Sequence, residues 1–222
     1  MSRSPLEVGL SIVVILLSIA LHEYAHAKTA DAAGDPTPRM MGRVTLNPLA
    51  HLDPLGTLFI FITVLVGFGI GWGKPVMVMP NKMRNPRWDH FFSVLAGPMT
   101  NLMLAGIFAI LFRILSMTTT MALDLGNLAY SDPIPLALFL GVVINVGLFF
   151  FNLIPIGPLD GHWLVGAFLP DPQRLAWYKF NRGPGTVILF ILIILNSNPE
   201  LSILGRVLWP AVGRVAGFFL GF

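Results

Sequence analysis

Two histidines one helical turn apart, His22 and His26, flank a glutamate in the run Leu21-His22-Glu23-Tyr24-Ala25-His26-Ala27. On a helix, His-Glu-x-x-His sets both imidazoles on one face with a carboxylate beside the first. That is the layout of a zinc site carrying its own general base, provided a third ligand arrives from elsewhere. The surroundings are unusual for such a motif. From Val8 to Ala20 the chain holds no charge and is apolar on every face, whereas a helix on a water-soluble domain carries a polar stripe. The motif is therefore predicted to lie inside a membrane helix, where ionisable groups are costly and serve function.

Composition points the same way. The 222 residues are 55% hydrophobic and only 11% charged, with a mean hydropathy of +0.76. Soluble domains carry about 25% charged residues. The chain is expected to be one membrane-embedded domain over residues 1–222, its core at about 8–170 and its C-terminal membrane segments at about 184–222. The net charge of +3 comes from basic residues scattered through short loops. They read as topology signals, so nucleic acid is not expected as a partner. With no cysteine there is neither a disulfide framework nor a thiolate zinc site. The N-terminal run lacks a small-residue cleavage site before the motif, which argues against a cleavable signal peptide.

The elements that must position the motif are all-α and polytopic: about 4–6 membrane segments, one of them broken, with a small β-hairpin or sheet near the site. A first helix is expected from near Pro5 to near Gly34. Arg43–Leu46 and Val76–Met79 are strand candidates, the second bracketed by Pro75 and Pro80. They form a simple hairpin, or the second stands as an edge able to accept another chain by strand addition. Between them, Leu55–Trp72 is apolar but has basic loops on both sides and alternate glycines from 67 to 73. A helix to Val66 descends about 18 Å and seven extended residues climb back about 23 Å. A re-entrant loop is thus expected, with both basic loops on the cytoplasmic side.

A second full helix is expected over Phe91–Ser116, with Ala96, Gly97, Ala105 and Gly106 for close packing and a buried Asn101 in need of a partner. Met117–Pro135 reads as an acidic connector on the opposite side. A third helix should run from near Pro135 to Phe151 and break at Asn152-Leu-Ile-Pro155-Ile-Gly-Pro158-Leu-Asp160-Gly161, where two prolines unwind it. A mid-bilayer Asp costs about 3 kcal/mol unless partnered, and zinc is the strongest partner for Asp160. Pro170–Asn181 reads as a polar surface segment and Thr186–Leu195 as too short to span. Thr186–Leu195 and Leu201–Phe222 together form either one hairpin or one span plus an interfacial helix.

With these residues in view, the chain resembles the site-2 protease family of intramembrane zinc metalloproteases. The resemblance rests on His22-Glu23-x-x-His26 in an apolar helix, on Asn152-x-x-Pro155-x-x-x-Leu159-Asp160-Gly161, and on Ala96-Gly97-Pro98 with Asn101 between them. Asn47-Pro-x-x-His51-x-Asp-Pro-x-Gly56 and Gly71-Trp-Gly-Lys-Pro-Val look like the small prokaryotic type without PDZ or CBS modules. The resemblance implies one zinc ion per chain held by His22, His26 and Asp160, leaving a fourth position for water. It implies Glu23 as catalytic general base and Asn152 as a catalytic group binding the substrate carbonyl or oxyanion. Val76, Met77 and Val78 would present a strand edge to an unwound substrate. Asn101 and His51 are further candidates on the substrate-binding side, although for His51 a plain loop histidine is the favoured reading. The implied partners are a transmembrane protein substrate and the lipid bilayer, with a multi-pass chain in the cell membrane and its active site nearer the cytoplasmic face. Two other classes stay open: a catalytically inactive zinc-binding scaffold, against which the intact Glu23 argues, and a metal or solute transporter, against which the clustering of polar groups in two places argues.

Overall fold

The computed structural model describes residues 4–66, 71–118, 132–198 and 200–221. Helix α1, Pro5–Ala32, opens with proline at its first turn and with Ser4 accepting the Glu7 N–H at 3.1 Å, two features that start a helix without leaving donors unpaired. It stops where Gly34 takes φ of 111°, a left-handed conformation that favours glycine. Then come α2 (Pro54–Val66), α3 (Trp88–Thr118), α4 (Pro133–Asn152) and the short α5 (Asp160–Phe168). They are followed by α6 (Asp171–Phe180), a π-helical turn over Asn181–Gly185, α7 (Thr186–Leu195) and α8 (Ile203–Leu220). Five stretches are long and apolar enough to cross a membrane: α1, α3, α4, Asp171–Leu195 as one unit, and α8.

Small residues bring the helices together. Ala105, Ala109 and Phe112 of α3 pack on Val142 and Val146 of α4 and on Val212 and Ala216 of α8, all buried. The outward faces are apolar as well, with Val13 53%, Ile110 61% and Val187 58% exposed. A contiguous apolar exterior suits a lipid-facing surface and not a water-facing one.

Two expectations need correction. The described residues contain no β-strand, so the hairpin of Arg43–Leu46 with Val76–Met79 does not form. The backbone of Lys74–Met79 bonds to side chains instead. Arg43 donates to the carbonyls of Lys74 and Pro75, and the N–H groups of Val76 and Met79 go to the carboxylates of Glu23 and Asp35. Once side chains satisfy those groups, no ladder is needed to place them at depth. Downstream, Thr186–Leu195 is not an isolated segment too short to span, because it continues from Asp171–Phe180. Pro184 lies inside the π-helical turn, where the widened turn joins both halves into one 25-residue candidate span.

The Leu55–Trp72 region behaves as expected at both ends. Leu52 and Gly73 form an isolated antiparallel bridge, and Lys74 N–H donates to the His51 carbonyl at 2.8 Å. Trp72 stacks on Phe59 of α2 with ring centroids 5.3 Å apart. The chain departs and returns at one level, and the 13 residues of α2 are too few to span. Residues 67–70, and the connector between 118 and 132, lie outside the described residues. Because the chain has no native cysteine, topology is directly measurable. Cysteines placed at Leu49 and at Arg84 should react with an impermeant maleimide from the same side of a sealed vesicle; reaction from opposite sides would mean that α2 and its return cross the membrane.

Candidate active site

The Nε2 atoms of His22 and His26 lie 2.9 Å apart, and Asp160 Oδ2 is 3.1 Å from the first and 3.3 Å from the second. The other ring nitrogens are occupied. His22 Nδ1 meets Asn101 Oδ1 at 2.6 Å, and His26 Nδ1 meets the Ser93 carbonyl at 2.8 Å. An amide oxygen only accepts, so each Nδ1 carries the proton and donates. Both Nε2 lone pairs then point toward each other and toward a buried carboxylate oxygen that has no hydrogen-bond donor of its own. Three acceptors packed this closely repel unless a cation lies among them.

Zinc with ligand bonds of about 2.0–2.1 Å in a tetrahedron sets its ligand atoms about 3.4 Å apart, near the separations of 2.9–3.3 Å found here. Two neutral imidazoles and one carboxylate are also a donor set that zinc accepts with one position left open. The residues fit the ion.

The sequence achieves this convergence with two devices. The first is the break after α4. Residues 153–159 would leave amides unpaired in an apolar medium, at several kcal/mol each. Instead the N–H groups of Leu153, Ile154, Ile156 and Leu159 bond to nearby carbonyls, and that of Gly157 bonds to Asn181 Oδ1 at 2.7 Å. Gly161 completes the fold-back: a Cβ there would sit 2.3 Å from the Leu153 carbonyl oxygen. Asp160, the first residue of α5, is thereby turned toward α1. The second device is Gly97 on α3, where a Cβ would lie 2.3 Å from His26 Nε2. Its absence lets α3 press against both rings.

Glu23 stands beside the cluster, not in it. Its Oε2 accepts the Val76 N–H at 3.1 Å and lies 3.9 Å from the buried Arg43 guanidinium. The segment that Arg43 grips is pinned at its far end by Asp35, which accepts the Met79 N–H at 2.6 Å and the Thr37 N–H at 3.0 Å. A cavity of about 570 Å³ opens onto these groups, with Val76, Val78, His90, Asn152 and Trp163 in its wall. That volume is in the range of substrate pockets.

The remaining candidates separate by position. Asn152 lines the cavity; its Nδ2 donates to the Leu148 carbonyl at 3.0 Å, and its second amide hydrogen is left for a ligand. Val76 and Val78 face the cavity while Met77, 52% exposed, points away. Asn101 is fully buried behind His22. His51 is fully buried too, its Nε2 2.8 Å from the Thr45 carbonyl and its own carbonyl receiving Lys74. It braces the return of the chain and stands outside the cavity wall. Sequence reasoning missed Ser93, Arg43, Asp35, Asn145 and Asn181. Ser93 acts through its backbone and leaves no side-chain signal. Asn145 did leave one, as a lone amide in the middle of an apolar helix.

Two outcomes follow from this geometry. Gly97→Ala should lower metal affinity at least about 10-fold, because ligand placement is disturbed; competition with a chelator measures it, and unchanged affinity would contradict the close approach. Asp35 lies outside the spanning helices. Burial works against its charge, but hydrogen bonds from Met79 and Thr37 and the nearby Lys82 outweigh that and hold its carboxyl below the ordinary value. A depressed carboxyl stabilises the fold above its unfolded value of about 3.9, and the contribution is lost as pH falls through the folded value. Protection of the Met79 amide from hydrogen exchange should therefore be full near neutrality and fall only below about pH 4. In Asp35→Asn it should be reduced at every pH.

Comparison with known proteins agrees with this picture. The sequence profile of peptidase family M50 matches residues 10–195. YwhC of Bacillus subtilis, provisionally named a zinc metalloprotease, is 32% identical over 199 residues, which are 90% of this chain and 84% of that protein. Rip2 of Mycolicibacterium smegmatis, with the same provisional description, is 31% identical over 203 residues, 88% of this chain and 70% of that protein. Rip2 of Mycobacterium tuberculosis is 31% identical over 199 residues, again covering 70% of its length. No solved structure gives a significant match. With its paired histidines and carboxylate inside a bundle of apolar helices, the chain belongs to peptidase family M50, the site-2 proteases, and is a multi-pass membrane metalloendopeptidase.

Proposed function

We propose that this peptidase uses one zinc ion to hydrolyse peptide bonds within or beside the transmembrane segments of other membrane proteins. The observation that carries the proposal is the meeting of His22 Nε2, His26 Nε2 and Asp160 Oδ2 at a cavity that also holds a fourth ionisable group outside that cluster, the Glu23 carboxylate. Zinc held by those three ligands supplies Lewis-acid polarisation of the scissile carbonyl and acidifies the attacking water.

The chain's own residues do the rest. Glu23 takes the proton from the attacking water and passes it to the leaving amine. Asn152, on the facing wall of the cavity, offers its unused amide hydrogen to the carbonyl oxygen as charge develops there. With each Nδ1–H committed to an oxygen acceptor, each imidazole is held with its Nε2 toward the metal position.

A helical substrate hides its amides, so it must unwind before it is cut. Among the described residues none pairs with the backbone of Met77, and Val76 and Val78 face the cavity. An unwound stretch can lie along this segment by backbone pairing, its alternate side chains entering the cavity. The site falls in the second half of α1, and Arg39, Arg43, Lys82, Arg84 and Arg87 lie in the loops that follow α1 and precede α3. By the positive-inside tendency that end is cytoplasmic. Substrates are accordingly single-span proteins cut near their cytoplasmic side.

Glu23→Gln tests the mechanism and separates it from a scaffold or a transporter. It should retain one zinc per chain while kcat/KM for a membrane-embedded peptide falls on the order of 10²–10⁴-fold. Cleavage at the parental rate would remove Glu23 from the mechanism. Absence of cleavage by the parent itself, with zinc bound, would favour the scaffold.

A further inference from the structure

We infer that Asn145, which touches neither the metal ligands nor the cavity, fixes which nitrogen of His22 carries the proton, acting through Asn101. It is a positioning residue, and the inference rests on reading His22 as a metal ligand.

The three helices α1, α3 and α4 are joined by a chain of hydrogen bonds with a single direction. Its fixed end is the backbone carbonyl of Gly141, which can only accept. Asn145 Nδ2 donates to it at 2.9 Å, one turn back along α4, so Asn145 Oδ1 must face α3. Asn101 Nδ2 donates to that oxygen at 3.0 Å, so Asn101 Oδ1 must face α1. There it meets His22 Nδ1 at 2.6 Å. Turning Asn145 over would set oxygen against oxygen at Gly141 and N–H against N–H at Asn101, and turning Asn101 over would set its oxygen against that of Asn145. A main-chain carbonyl on α4 thus dictates that His22 is protonated on Nδ1 and offers the Nε2 lone pair to the metal. The usual ambiguity of an asparagine amide is removed by that anchor.

Burial gives the chain its force. Asn101 and Asn145 are both fully buried, so water does not compete for either amide and a mismatched link has no alternative partner. Close helix packing gives the chain its reach. A Cβ on Gly141 would lie 2.5 Å from the Phe108 ring of α3, and the bare glycine lets α4 come near enough for one amide to reach the other. His26 differs in kind: its Nδ1 bonds straight to the main-chain carbonyl of Ser93, so no side chain intervenes. Of the two imidazoles, only His22 is set by a relay.

A plain alternative is that the two amides merely hold α3 against α4. Asn145→Asp and Asn145→Leu separate the readings. Protonated, an aspartic acid at 145 still donates to Gly141 and accepts from Asn101; ionised, it still accepts from Asn101. Either way Asn101 stays oriented. Leucine leaves that amide free to turn.

The experiment uses the full chain in detergent micelles, with zinc affinity from chelator competition and ¹⁵N-histidine spectra of the zinc-loaded protein. For Asn145→Leu, affinity should fall on the order of 10–100-fold. The His22 Nδ1–H should exchange faster with solvent, while that of His26 is unchanged. For Asn145→Asp, affinity should stay within about threefold of the parent and the His22 signal should persist. The inference is overturned if leucine leaves affinity and exchange unaltered, if aspartate loses as much as leucine, or if both histidine signals move together. Should the leucine variant fail to fold, the parent alone decides: a His22 without a slowly exchanging Nδ1–H refutes the relay. A parent that binds no zinc would instead refute the proposed function, which keeps the two failures apart.

Discussion

Three lone pairs aimed at one point within a bundle of apolar helices make an arrangement that cannot stand unsupported. The two Nε2 atoms and the Asp160 oxygen, 2.9–3.3 Å apart, repel one another, and an apolar interior gives them little screening. A cation relieves the repulsion. The protein contributes everything that keeps the lone pairs aimed in the meantime: an acceptor behind each imidazole, a glycine where α3 meets them, and a broken helix that swings the carboxylate round. α1, α3, α4 and α5 hold their places in relation to this point.

The same economy appears where the backbone leaves helical form. Two irregular stretches, residues 73–79 and 153–159, lie beside the site, and in each side chains supplement local backbone bonds where a sheet would otherwise be needed. Asn181 serves the second; Glu23, Asp35 and Arg43 serve the first. Hydrogen bonds to charged groups are worth about 1.5–3 kcal/mol each, enough to hold a short segment without a partner strand. The arrangement ties the cavity wall to the carboxylate proposed as general base, since Val76 and Glu23 share a hydrogen bond. A strand ladder would have held the wall equally well and would have left Glu23 unconnected to it.

Hydropathy and motif spacing made much of this legible. The apolar run around His22 and His26 pointed to a helix long and apolar enough to cross a membrane, and the prolines before Asp160 pointed to the helix break that delivers it. Basic loops on both sides of Leu55–Trp72 pointed to the return that the Leu52–Gly73 bridge displays. The misreadings share one cause. Arg43, Val76 and Met79 looked like strand residues because strand propensity reports a half-buried extended backbone, and it is silent on whether a ladder or a side chain satisfies that backbone.

The chemical class of the protein is legible from the chain alone, because ligand identity, spacing within one helix and hydrophobicity are all local properties. The same local signals say that a carboxylate at 160 needs a partner and that a glutamate adjoins one of the paired histidines. Direction comes only with packing. Which nitrogen of His22 is free, which backbone amide rests on Glu23 and which carbonyl receives His26 depend on contacts such as Asn101 with Asn145 and His26 with Ser93, between residues 44 and 67 positions apart. Hydrogen bonds are directional and short, so they exist only once the helices are packed.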